Sequence, residues 1–291
     1  MRWRGERQSG NVEDVRYEGS ARRVPTGMKL GGGMTLLLLV VGLLLGQNPL
    51  QLLQIFLQSD IGVSTDSQPQ PRPRPAGDDE ASQFVSVILA STEDVWGKMF
   101  SSAGQRYPEP KLVLFSDGIE SACGMNSSAT GPFYCPGDQK VYLDLGFLNE
   151  LHRLGVSGDF AVAYVIAHEV GHHVQNVIGT DRKFRQYQSQ ARSQEQANAL
   201  SVLMELQADC YAGVWANHAD SQRHILEQGD VEEGLNAAAA IGDDRMQKMA
   251  GRRVNPDGFT HGSSQQRVQW FRTGMQSGDI NTCNTFKQAE L

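Results

Sequence analysis

Hydrophobic residues follow three regimes along this chain. Met34 to Gly46 reads MTLLLLVVGLLLG, a run without charge or period. From about residue 58 to 80 apolar periodicity disappears, and Gln68 to Pro75 alternates proline with polar residues. From Ala81 onward, helical and strand periods take over. Phe84, Val85, Val87, Ile88, Leu89, Val95, Trp96 and Phe100 give one broad apolar face and predict a helix. Lys111 to Phe115 predicts a short strand ending at Asp117-Gly118. Phe133 to Cys135 and Val141 to Leu143 flank the turn signal Pro136-Gly137-Asp138 and predict a hairpin. Beyond Leu145 the pattern is helical. Helices are expected over 158–177, over 193–218, over 231–250, and after Ser263, where Val268, Trp270 and Phe271 recur. Ser193 and Ser263 are each followed three residues later by glutamine, a capping-box pattern. A small sheet early and helices late predict an α+β fold without internal repeats.

The apolar run changes the picture of the first 80 residues. Small residues before it and Gln47-Asn48-Pro49-Leu50 after it extend it towards the roughly 20 residues that a membrane span needs. Residues 31–56 are therefore read as a transmembrane anchor, residues 1–30 as a basic segment and residues 57–80 as a Pro-rich linker. Residues 1–30 hold seven basic side chains against four acidic ones, an excess that favours a cytoplasmic N-terminus. The domain, residues 81–291, is then expected on the periplasmic or extracytoplasmic side of a single-pass protein. A cleaved signal peptide and a buried core helix are the competing readings. The roughly 30-residue lead is long for the first, and no A-x-A site follows.

Charge and cysteines add less. The formal net charge is −7, and no basic stripe appears outside the N-terminus, so nucleic acid is set aside as a partner. Cys123 and Cys135 flank a short loop and are the first pair expected to bridge. Cys210 with Cys283 would tie the C-terminus to the second long helix. A four-cysteine zinc site lacks any C-x-x-C element, and reduced thiols remain open if the domain is cytoplasmic.

The chemistry concentrates in His168-Glu169-Val170-Gly171-His172. Two histidines four apart leave one helix face about one turn apart, so both imidazoles can meet one tetrahedral ion at about 2.1 Å. Glu169 follows the first ligand, where its carboxylate can reach water on the metal without binding the metal. Gly171 is small enough to let another element approach. A catalytic zinc site needs a third protein ligand. The continuation H-x-x-G-x-x-H fails, because Gln175 and Ile178 stand there. Glu205 and Asp209 lie four apart among Leu203, Leu206 and Ala208, where unsatisfied carboxylates would be costly. Glu205 is expected as the third ligand, with Asp209 or Asp181 as alternatives. Asp209 is expected to accept a hydrogen bond from the free ring nitrogen of His168. His173 is expected to be structural.

H-E-x-x-H followed by E-x-x-x-D on a second helix resembles the gluzincin class of zinc peptidases. More closely, the chain resembles the bacterial, membrane-anchored neutral zinc metallopeptidase family. The matching segments are Gln47 to Leu50, Phe133-Tyr134-Cys135-Pro136, His168 to His172, and Glu205 through Asp209-Cys210-Tyr211 to Gly213. This resemblance covers nearly the whole chain. It implies a zincin-like fold, with a small sheet and edge hairpin before a mostly helical half, and one Zn2+ per chain. Thr260-His261-Gly262-Ser263 is similar to a His-Pro element of membrane-associated gluzincins, with Arg267 downstream. By that similarity His261 would donate to the oxyanion, although glycine replaces proline. A polar loop histidine is the alternative.

These readings converge on a zinc metalloendopeptidase with a protein or peptide substrate and Glu169 as general base. A zinc-containing, membrane-tethered scaffold without turnover is the rival, and a zinc hydrolase acting on a non-peptide amide is a third reading.

Overall fold

The structure is a computed structural model describing residues 1–17, 78–127 and 131–288. The expected anchor and nearly all of the expected linker lie outside those residues. Among the described residues, no helix is long and apolar enough to cross a membrane.

Four strands form the sheet: β1 (Val12–Asp14), β2 (Lys111–Phe115), β5 (Phe133–Cys135) and β6 (Lys140–Asp144). Their order is β1–β2–β6–β5, with β1 and β6 parallel to β2 and β5 antiparallel to β6. The predicted hairpin is therefore present, and β5 is an edge strand. A second hairpin, β3 (Gly118–Ser121) and β4 (Gly124–Ser127), was not predicted; its residues are largely exposed and carry little pattern.

The helices are α1 (Asp78–Ser102), α2 (Phe147–Arg153), α3 (Asp159–Ile178), α4 (Thr180–Ser189), α5 (Gln194–Arg223), α6 (Asp230–Ala240), α7 (Asp243–Met249), α8 (Ser264–Ser277) and α9 (Thr285–Gln288). The α+β class is as expected. Ser193 caps α5 through the Gln196 amide, and Ser263 with Gln266 completes a capping box on α8. One expected helix is two. The span 231–250 breaks at Ile241 and Gly242, where Gly242 is extended at φ −69°, ψ 141°. A Cβ there would meet the Ser264 amide nitrogen at 2.4 Å, so the start of α8 occupies the space a side chain would need.

The core gathers α1, α3, α5, α6 and α8 around Trp96, Phe160, Tyr164, Trp215 and Phe271, all essentially fully buried. Glycines set the closest crossing. A Cβ on Gly274 of α8 would lie 1.9 Å from the Cys210 carbonyl oxygen of α5, and one on Gly213 of α5 would lie 2.1 Å from that of Phe271. The cysteine pairs are Cys123–Cys135 and Cys210–Cys283.

Residues 1–16 belong to the same compact unit as the chain from Pro75 onward. Trp3 is buried against Phe84, and its indole N–H donates to Asp159 at 2.9 Å. Arg7 and Asn11 donate to the buried Glu93 carboxylate at 2.9 and 2.8 Å. Val12 to Asp14 add β1 alongside β2. The basic composition of this segment thus feeds ion pairs with the domain. The Trp3→Ala variant should lose about 3 kcal/mol of stability, the low end of aromatic truncation in a core. Thermal unfolding measures it; an unchanged midpoint would mean that the segment is not docked.

Candidate metal centre

The site is made where α3 crosses α5. Gly171 sits against Ala208, and a Cβ on Gly171 would lie 3.0 Å from the Ala208 carbonyl oxygen. This contact lies between the two histidines on α3 and between Glu205 and Asp209 on α5. Four side chains therefore converge across one helix crossing.

The Glu205 carboxylate lies between the two imidazoles, with its oxygens 3.2 Å from His168 Nε2 and 3.4 Å from His172 Nε2. One donor atom from each of the three residues falls within 4.8 Å of the others. The rings stand nearly perpendicular, with centroids 4.8 Å apart. Two imidazoles and one carboxylate are the donor set of a catalytic zinc site, with a position left over for water or substrate. Neither alternative ligand joins this group. Asp209 faces the other nitrogen of His168, and Asp181 is engaged by Arg185.

Asp209 is fully buried and highly connected. Its Oδ1 lies 2.8 Å from His168 Nδ1 and accepts from the Tyr164 hydroxyl at 2.5 Å. Arg267 grips both carboxylate oxygens, Nε to Oδ2 and Nη2 to Oδ1, each at 2.9 Å. Burial would raise the Asp209 carboxyl, but Arg267 and His168 outweigh it and hold it below its usual range. A buried carboxylate so compensated keeps a full negative charge beside His168. That charge favours a proton on Nδ1, which would leave Nε2 available to a metal.

Electrostatics in the cluster are mutually reinforcing. Burial opposes the charged form of His168, yet Asp209 and Glu205 raise its pKa to about 10. His172 is also raised, with burial opposing and Glu205 prevailing. Burial would raise Glu205, but both histidines hold it well below its usual range.

A cavity of about 820 Å³ opens on this cluster, lined also by Glu169, Tyr134 and His261. The chain belongs to a known family: it matches, over residues 1–286, the one described as "Putative neutral zinc metallopeptidase".

This chain is a zinc metallopeptidase family member.

Its similarity to curated relatives supports that placement. It is 49% identical to the Escherichia coli protein YpfJ, across 98% of this chain and 99% of that one. It is 40% identical to the Mycobacterium bovis protein Mb2605, across 73% and 74%. No solved structure matches it.

The remaining sequence candidates fall as follows in this family member. Asp243 opens α7 and its Oδ2 accepts from the backbone amides of Thr260, His261 and Gly262 at 2.7, 2.7 and 3.0 Å. The other Asp243 oxygen lies 3.3 Å from His261 Nδ1, a contact that raises the imidazole pKa. Gly262 has φ +96°, which proline cannot adopt, so the departure from His-Pro is built into this loop. His173 is fully buried between the Pro108 carbonyl, 2.6 Å from Nε2, and the Tyr134 hydroxyl, 3.0 Å from Nδ1. Sequence reasoning missed Tyr164 and Asp243, whose partners lie 17 to 103 residues away with no spacing rule to connect them.

Metal ligands must be unprotonated, so a cation held by this cluster would have to displace a proton from His168 Nε2. With the His168 pKa raised to about 10 by Asp209 and Glu205, zinc affinity should climb with pH through neutrality. Glu205 is already charged and contributes no proton. Calorimetry of zinc binding at pH 7, in buffers of different ionisation enthalpy, should report release of at least about one proton. Release of none would contradict the cluster's charge state.

Proposed function

We propose that this protein is a zinc endopeptidase, with His168, His172 and Glu205 holding one Zn2+ and Glu169 acting as general base. The observation that carries the reading is the convergence of this ligand set and Glu169 on one large cavity. Membership of the zinc metallopeptidase family supports it.

When bound, zinc lowers the pKa of a water towards about 7 and polarises a carbonyl oxygen. Glu169 directly follows His168 on α3 and lines the cavity. It can take a proton from the attacking water and deliver it to the departing amine. His261, with Nδ1 turned to the Asp243 carboxylate that favours its charged form, offers Nε2 as a donor towards the developing oxyanion when protonated. Pro132, Phe133 and Tyr134 form one wall of the cavity along edge strand β5, a surface suited to an extended peptide. Phe147, Phe184 and Met246 make other parts of the lining apolar, which favours hydrophobic side chains in the substrate.

Glu169→Gln separates this reading from a tethered scaffold. Turnover of peptide substrates should fall by roughly 10²–10⁴-fold while zinc content is unchanged. A scaffold would keep its cellular role in that variant, and undiminished turnover would remove Glu169 from the chemistry.

Membrane attachment through residues 31–56, with the domain on the extracytoplasmic side, is part of the same proposal. The two disulfides favour an oxidising compartment. A single crossing would separate residues 1–16 from the domain, whereas the two form one packed unit. We therefore propose that residues 31–56 attach to the membrane without crossing it, which leaves both on the same side, in place of the cytoplasmic N-terminus expected from charge. Gln8→Cys and Lys98→Cys, both exposed, should then react alike with a membrane-impermeant maleimide on intact cells. Labelling of Lys98→Cys alone would restore the single crossing.

A further inference from the structure

His168 and His172 are oriented by different means. For His168 a buried charge does it, through Asp209. Among the described residues, no carboxylate faces His172 Nδ1. Instead Gln175 Oε1 lies 2.8 Å away, one helical turn further along α3. Gln175 is itself fully buried. Its Nε2 donates to the Met204 carbonyl at 2.8 Å and to Gln207 Oε1 at 3.1 Å. Gln207, also buried, donates its Nε2 to the Cys283 carbonyl at 2.9 Å.

This chain of amides has only one workable direction. Backbone carbonyls accept and never donate. The Cys283 carbonyl therefore requires the NH2 end of Gln207, which leaves Gln207 Oε1 facing Gln175. Gln207 Oε1 and the Met204 carbonyl together require the NH2 end of Gln175. Gln175 Oε1 is then what His172 meets, so His172 Nδ1 must carry the proton. Nε2, on the side of Glu205, is then the nitrogen available to a metal. Reversing either amide would place two acceptors or two donors face to face in a buried site, at the cost of unsatisfied polar groups.

The far end of the chain is anchored. Cys283 is cross-linked to Cys210, the residue after Asp209. The Met204 carbonyl belongs to the residue before Glu205. Gln175 thus ties one proposed ligand to the turn carrying another, and the relay ends on the C-terminal segment.

We propose that Gln175 and Gln207 are positioning residues that fix the Nδ1–H tautomer of His172, and so prepare its Nε2 for zinc, from the Cys283 carbonyl. This inference rests on the zinc reading above. It adds that metal affinity depends on two neutral amides and on a segment more than a hundred residues beyond the histidines.

The test compares the full chain with Gln175→Met and Gln207→Met, which keep side-chain length and remove the amides. Zinc affinity is measured by chelator competition, and the His172 Nδ1–H by ¹⁵N-histidine NMR of the zinc-loaded protein. Thr285→Val is the control, because it removes a different buried hydrogen bond of the C-terminal segment, to the Leu203 carbonyl. Gln175→Met should weaken zinc binding roughly 10–100-fold and expose the Nδ1–H to rapid solvent exchange. Gln207→Met should weaken binding less, because Gln175 retains the Met204 carbonyl, while still speeding exchange. Should Gln175→Met not fold, Gln207→Met alone decides through the exchange rate. Zinc affinity and Nδ1–H exchange unchanged in the glutamine variants, or shifted equally in Thr285→Val, would overturn the relay and leave the metal site standing. Absence of zinc binding in the unsubstituted protein would instead overturn the metal reading itself.

Discussion

The approach of α3 to α5 at Gly171 and Ala208 is the constraint on which the site depends. Each helix alone carries an ordinary pair of polar residues one turn apart. Only the crossing puts Glu205 between two imidazoles and Asp209 behind one of them. With a potential Cβ only 3.0 Å from the Ala208 carbonyl oxygen, the crossing has little room for a side chain at position 171. The same logic repeats at Gly213 and Gly274, which bring α8 onto α5 and thereby deliver Arg267 to Asp209. Backbone proximity at small residues thus determines which charges meet.

Those charges could not be buried singly. Removing one partner of a buried pair typically costs about 3–5 kcal/mol, because the other is left uncompensated. Here Arg267, Asp209, His168 and Glu205 alternate in sign, and Tyr164 takes up further hydrogen-bonding capacity of Asp209. The alternation ends at the cavity, where Glu205 and the two imidazoles could surround a cation. The amides of Gln175 and Gln207 serve the other imidazole without adding charge. A neutral relay suits that position, since Glu205 already supplies the negative charge facing His172.

Much of this site was legible in the sequence, for identifiable reasons. Histidines at i and i+4, and carboxylates at i and i+4, declare their shared faces through helical geometry alone. Gly171 stood out as a small residue inside an otherwise bulky pattern. Ser193 and Ser263 announced helix starts through local capping chemistry, which needs no distant partner. The rest depended on partners far away in sequence. Val12 to Asp14 form a strand only because β2, about a hundred residues later, provides its edge. The break at Gly242 follows from the seat taken by Ser264, and from Asp243 collecting the amides of residues 260–262. Glutamines at 175 and 207 carry no spacing signal, because a buried amide can find its partner in any direction. Charge counting over residues 1–30 carried no sign that Arg7 pairs with Glu93 and Asp94.

The central claim is that two imidazoles and the Glu205 carboxylate surround a single zinc ion. X-ray absorption at the zinc edge, on protein loaded with one equivalent, tests it most directly. The account predicts two imidazole nitrogens and light oxygen donors at about 2.0–2.1 Å, with one imidazole lost in either His168→Ala or His172→Ala. A shell containing sulfur, or an imidazole count indifferent to both substitutions, would contradict it.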